Sequence, residues 1–151
     1  MVGYNPEVIL AGRRINSQMA AHAAAKLVKA MARQDIDIRK ARVLVMGLTF
    51  KENCPDVRNT KVIDMVISLR EFGVDVVIHD PWVDAAVAKA EFGETLITAP
   101  AEGSFDAVVL AVPHAIFLTD EAISINQLLR PNGVLMDLKS MLPKELGAVS
   151  L

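Results

Sequence analysis

Lys51 and Arg58 stand on either side of Pro55 in the segment Gly47-Leu-Thr-Phe-Lys-Glu-Asn-Cys-Pro-Asp-Val-Arg-Asn-Thr60. Two cations in one loop can hold an anion: lysine supplies a point charge for phosphate oxygens, and arginine a planar fork suited to bidentate pairing. The dinucleotide fingerprint Gly-x-Gly-x-x-Gly is absent, because Gly47 is the only glycine of the turn. A pyrophosphate therefore cannot rest on bare backbone here, and the segment reads as a side-chain clamp. Loop charges are commonly just solvated, but two cations at the end of the first strand, beside the free N–H groups of a helix start, bring that alternative level with ligand binding.

Other reactive side chains say less. Cys54 has no histidine beside it in the sequence and is read as a packing residue. His22, His79 and His114 lack the i, i+3 or i, i+4 spacing of a metal pair, so no metal site is expected. Asp80 falls where a dinucleotide-binding fold keeps its ribose acid, but Asp80-Pro81 is also an ordinary turn opener, the favoured reading. His114 is expected to be a satisfied structural histidine, and Lys139 is a marginal candidate for adding charge to a cleft.

The elements that would position these residues follow from periodicity. Val43–Met46 is short, apolar and partly β-branched, as a buried parallel strand should be. Beyond the loop, Val62, Ile63, Met65, Val66 and Leu69 repeat at helical spacing, with Asn59 or Thr60 to cap the start and Gly73 to stop it. Strands are expected at Arg42–Gly47, Asp75–His79, Ala107–Ala111 and Val134–Asp137, with a weaker one at Leu96–Thr98. Helices are expected at Thr60–Phe72, Val83–Phe92 and Asp120–Leu129, and the turn Pro131-Asn-Gly133 feeds the last strand. This alternation predicts an α/β, Rossmann-like three-layer domain with a parallel sheet, whose ligands bind at the carboxyl ends of the strands.

Residues 6–33 contain no internal proline and read as one long helix, with Ile15, Met19, Ala23, Leu27 and Met31 at four-residue intervals. At 1.5 Å per residue such a helix is about 40 Å long, more than a small domain covers, and its Ala-rich face suits close contact with a second copy. The organisation expected is a connecting and dimerising helix over residues 1–36, then a domain over 37–151.

At 151 residues and 52% hydrophobic the chain can bury a sizeable core. A formal net charge of −2 and the lack of a basic cluster argue against nucleic acid as a partner. One cysteine suits a reducing cytoplasm, and no apolar run is long enough to span a membrane.

The loop quoted above, extended to Val62, together with Ile78-His-Asp-Pro81, Gly3-Tyr-Asn-Pro6 and Leu10-Ala-Gly-Arg-Arg-Ile-Asn16, resembles the C-terminal domain of the UDP-glucose/GDP-mannose 6-dehydrogenases. The variant Asn-Cys-Pro-Asp-x-Arg-Asn-Thr looks most like the branch that oxidises UDP-N-acetylhexosamines for polysaccharide synthesis. The likeness covers nearly the whole chain. It implies that Phe50 and Lys51 lie at a uridine-diphosphate site and that Arg58 reaches NAD held by a separate N-terminal domain. It further implies that Arg13 or Arg14 enters a neighbouring subunit's substrate pocket, and that the long helix forms a homodimer core. The family's N-terminal cofactor loop and its catalytic cysteine segment have no counterpart here. The chain is therefore expected to be a fragment that holds UDP without oxidising the sugar alone. A stand-alone nucleotide-binding module, a degenerate NAD-binding subunit that uses Asp80, and a purely structural dimerisation domain are the alternatives. Asn5 departs from the family, where a histidine often stands, which puts any hexose contact at that position in doubt.

Overall fold

The computed structural model describes residues 6–57, 60–118 and 125–150, with side chains from residue 18 onward. Four strands, β1 (Arg42–Met46), β2 (Asp75–His79), β3 (Phe105–Leu110) and β4 (Leu129–Asp137), form one sheet in the order β2-β1-β3-β4. All three pairings are parallel, with Val45 opposite Ile78 on one side and Val109 on the other. β1 and β3 are central, which explains their unbroken apolar composition: Val43, Leu44, Val45, Val108, Val109 and Leu110 are completely buried. This is the half-sheet of a Rossmann-like α/β fold.

Alternation along β1 divides the core. Val43 and Val45 join a large cluster under α1 (Pro6–Arg33) and α2 (Val62–Glu71), which also takes in Ala88 of α3 (Ala85–Phe92). Leu44 and Met46 point the other way, to a smaller cluster with Phe117 of α4 (Ala115–Leu118), Ile125 and Leu128. α2 buries Val62, Met65, Val66 and Leu69, the i, i+3, i+4, i+7 stripe of an amphipathic helix. Its first free N–H, from Val62, is accepted by the Thr60 hydroxyl, and Gly73 closes the helix at φ +91°. α3 is more regular at its ends, with Asp84 accepting from Ala86 N–H and Gly93 left-handed as the stop.

The second half of α1 is built into this domain. Ala24, Leu27 and Met31 are fully buried against α2 and the sheet, and Ala20 and Ala23 nearly so. Met19, expected on the same stripe, is 58% exposed. Residues four apart advance about 40° beyond a full turn, so a strict four-residue stripe rotates off the buried face. No helix among the described residues is long and apolar enough to cross a membrane.

Several elements differ from expectation. Over the expected helix at Asp120–Leu129, the described residues are helical only at 125–127, and Leu129 already pairs with Phe105 in β4. Pro131-Asn-Gly133 therefore lies inside β4, where a register irregularity opposite Phe105–Ala107 and a left-handed Asn132 absorb the turn. The weak strand at Leu96–Thr98 amounts to one bridge, Leu96 to Ile78. α4 appears where no helix was expected; its first amide, Ala115 N–H, donates to Asn53 Oδ1 at 2.8 Å. That cap comes from a loop 62 residues away, so the local sequence carries no sign of it.

Candidate functional site

The carboxyl ends of β1, β2 and β3 converge on one side of the sheet, and the chain leaving β1 makes the approach possible at Gly47. Its φ is +101°, and an added Cβ would meet Val112 Cβ at 2.6 Å and Val112 N at 2.7 Å. Only glycine fits so close to neighbouring backbone. Met46 carbonyl accepts from Ala111 N–H at 2.9 Å, locking the two strand ends together.

Past Gly47 the loop is fastened by a buried polar clasp. Asp80, at the end of β2, accepts through Oδ2 from Leu48 N–H (2.7 Å), Thr49 N–H (3.3 Å) and His114 Nε2 (2.9 Å). Its Oδ1 accepts from Trp82 N–H at 2.8 Å, the turn role expected of an Asp-Pro pair. On the far side of the imidazole, His114 Nδ1 lies 2.8 Å from Asn53 N. A backbone N–H can only donate, so Nδ1 is the acceptor and the neutral ring carries its proton on Nε2, toward Asp80. Thr49 donates its hydroxyl to Lys51 carbonyl at 2.7 Å, leaving its Oγ1 free to share the Nε2 proton at 3.3 Å. Burial pushes the Asp80 carboxyl up, but hydrogen bonds from His114, Leu48 and Trp82 outweigh it and hold the group below the usual carboxylate range.

Outside the clasp a cavity of about 240 Å³ opens between the loop and α1. Its walls include Met19, Phe50, Val112 and Leu138, and Lys61 and Lys139 bring the positive charge. Phe50 is 43% exposed, too open for a core plug, and its ring lies 5.8 Å from Lys51 Nζ. Aromatic surface beside cations suits a ligand with a flat ring and an anionic tail. Lys139 is set there by Asp137, which is buried and accepts from the Lys139 and Leu142 amides. Lys61, at the start of α2, was not singled out from the sequence, although its place just after Arg58 and Thr60 extends the same cationic run.

Phe50 and Lys51 are thus brought together, with Phe50 on the cavity wall. Arg13, Arg14 and Arg58 lie outside the residues whose side chains are described. Cys54 is a free, half-buried thiol. Among the described residues no group of three or more His, Cys, Asp or Glu side chains could hold a metal ion. The β1 turn does not fit a dinucleotide: the space over Gly47 is filled by Val112, and both Asp80 oxygens are engaged by protein donors instead of facing outward for a ribose.

A family model described as the UDP-glucose/GDP-mannose dehydrogenase family, UDP binding domain, matches residues 44–144, a span that contains the whole clasp and the loop. UDP-N-acetyl-D-glucosamine 6-dehydrogenase of Pseudomonas aeruginosa is 49% identical over 95% of this chain and 34% of its own length. The protein of the same description from Salmonella typhi is 41% identical over 99% and 35% respectively. The chain therefore spans about a third of the length of these curated relatives. Among solved structures, UDP-D-ManNAc dehydrogenase from Pyrococcus horikoshii superposes with a TM-score of 0.72 at 25% identity, over 95% of this chain and 32% of that one. Cap5O, a UDP-N-acetyl-mannosamine dehydrogenase from Staphylococcus aureus, shares the fold with a TM-score of 0.67 at 20% identity, over 90% and 30%.

Proposed function

Since the chain belongs to the UDP-glucose/GDP-mannose dehydrogenase family and carries its UDP-binding domain, we propose that the cavity beside Phe50 holds the uridine diphosphate of a UDP-N-acetylhexosamine. In this reading Lys51 meets the diphosphate oxygens, Lys61 and Lys139 add charge, and Phe50 covers the base or ribose. The reaction served is oxidation of the sugar's C6 alcohol to a uronic acid for polysaccharide synthesis, in the cytoplasm. NAD belongs to a separate N-terminal domain, with Arg58 reaching toward it. Residues 1–36 form part of a connecting helix that pairs two copies, Arg13 or Arg14 serves the neighbouring substrate pocket, and residues 37–151 hold the nucleotide.

The observation that carries the reading is the family match over residues 44–144, which takes in the loop and most of the cavity wall. The placing of an exposed aromatic ring and lysines at the carboxyl ends of parallel strands supports it. The poor fit of Asp80 to a ribose weighs against the alternative of a degenerate NAD-binding subunit.

Titration of the chain with UDP, with NAD and ADP as controls, followed through backbone amide NMR shifts, tests the proposal. Saturable shifts centred on residues 47–57 and Lys139 are expected for UDP. Lys51→Ala should weaken binding by roughly ten- to a hundredfold, the worth of one hydrogen bond to a charged group. No response to UDP at about millimolar concentration, the weak end of specific affinity, would overturn it. A response to NAD centred on Asp80 would replace it with the cofactor-binding reading.

A further inference from the structure

Phe50 and Lys51 sit in a stretch with no regular secondary structure, yet the two residues that bracket them are both tied to one imidazole. Thr49 Oγ1 is 3.3 Å from His114 Nε2, and Asn53 N–H donates to His114 Nδ1 at 2.8 Å. His114 is fully buried and stands four residues beyond the end of β3, 61 residues from Asn53. The ring is held in turn by Asp80 from the end of β2, and packs edge-on against Phe117 at 5.4 Å between centroids. Neither His114 nor Asp80 lines the cavity. Asn53 is itself left-handed, with φ +58°, a conformation that a non-glycine residue keeps only when its surroundings enforce it.

We propose that His114 and Asp80 are positioning residues for nucleotide binding: a neutral imidazole oriented by a carboxylate pins both ends of the Thr49–Asn53 segment and so sets Phe50 and Lys51 toward the ligand. The inference rests on the functional reading above. It follows from donor–acceptor accounting. Asp80 accepts on one oxygen and fixes the Nε2–H tautomer, which leaves Nδ1 as the lone pair that receives the loop's amide. Without that lone pair Asn53 N–H loses its acceptor, and the same loop frees Asn53 Oδ1 from the start of α4. A loop that must be ordered on binding binds more weakly, because the ordering cost falls on the ligand.

The test compares His114→Ala, His114→Asn and His114→Gln with Val108→Ala, a fully buried substitution within β3 whose side chain takes no part in the clasp's hydrogen bonds. UDP affinity is measured by calorimetry, and exchange of the Leu48, Thr49 and Asn53 amides by NMR. His114→Ala should weaken UDP binding by roughly tenfold or more and expose the Asn53 amide to exchange. Val108→Ala should lose stability but leave affinity within about twofold, since it removes none of the hydrogen bonds that hold the loop. Asparagine can place Oδ1 where Nδ1 was, so His114→Asn should recover most of the affinity and the Asn53 protection. Glutamine restores only the donor to Asp80 and should not. Imidazole nitrogen shifts of the wild type should show a protonated Nε2 and an accepting Nδ1. Wild-type binding that persists unchanged in all three His114 variants would overturn this inference and leave the functional reading intact. A wild type that does not bind UDP would remove both. If His114→Ala does not fold, the Asn and Gln variants give the same contrast.

Discussion

Replacing Gly47 by alanine isolates how closely the strand ends must approach. At φ +101° an L-residue is strained by about 1–2 kcal/mol even with free space around it. Here the new methyl would also meet Val112 N at 2.7 Å and Val112 Cα at 3.0 Å, both backbone atoms that no rotamer change can move. The loop must back away, which sacrifices Gly47 N–H to His79 carbonyl and one or both bonds at Met46 carbonyl. At about 1 kcal/mol each, these bring the expected loss to about 3–5 kcal/mol, a large part of a small domain's stability. Gly93→Ala is the matched control. Its φ is +68°, nothing lies within 4 Å of the added Cβ, and the expected cost is only about 1 kcal/mol. Urea denaturation monitored by circular dichroism reports both, with an unchanged m-value confirming that the comparison is one of stability. A Gly47→Ala loss within about 1 kcal/mol of the Gly93→Ala loss would refute the reasoning, because the contact with Val112 would then carry no energy.

Asp80→Asn should cost about 2–3 kcal/mol at neutral pH, since one amide oxygen cannot replace a carboxylate that accepts from four donors. The native carboxyl is held below its ordinary range, so its contribution is complete above about pH 4 and disappears as pH falls through the lower, folded value. Stability measured from neutral pH down to about pH 3 should therefore fall more steeply for wild type than for Asp80→Asn, and parallel curves would count against the clasp. Leu27→Ala, at a fully buried position of α1, should lose about 2–5 kcal/mol in the same denaturation assay. A loss below about 1 kcal/mol would mean that this part of α1 lies on the domain without contributing to its core.

The sheet was legible because β1 and β3 are buried on both faces, which leaves a short apolar run that few other elements produce. α2 was legible because its buried residues keep helical spacing from Val62 to Leu69. The start of β4 was not: Ile125, Leu128 and Leu129 have helical spacing too, and only pairing with Phe105 settles Leu129 as strand. Lys51 could be picked out because a cation stands at a strand's carboxyl end, whereas Phe50 was reached only through the family resemblance. The clasp that orients their loop could not be assembled from sequence, although Asp80 and His114 were each noticed. They are 34 residues apart, and no local pattern marks two residues as partners when each alone has an ordinary structural explanation. Lys139 is only a marginal cleft candidate by sequence, and the folding of the chain after Asp137 is what brings it to the cavity.

The inner half of α1 has a mechanical consequence. Met19, Ala20 and Ala23 form part of the cavity wall, whereas Leu27 and Met31, farther along the same rigid rod, are seated in the core. Met19 is about 18 Å along the axis from Met31. A tilt of about 5° pivoting at Met31 would swing Met19 by about 1.5 Å, enough to open or narrow the gap facing Phe50. The width of the cleft and the angle of the helix are then one coordinate: a load on the outer end of α1 is felt at the cavity, and a ligand wedged there leans back on the helix.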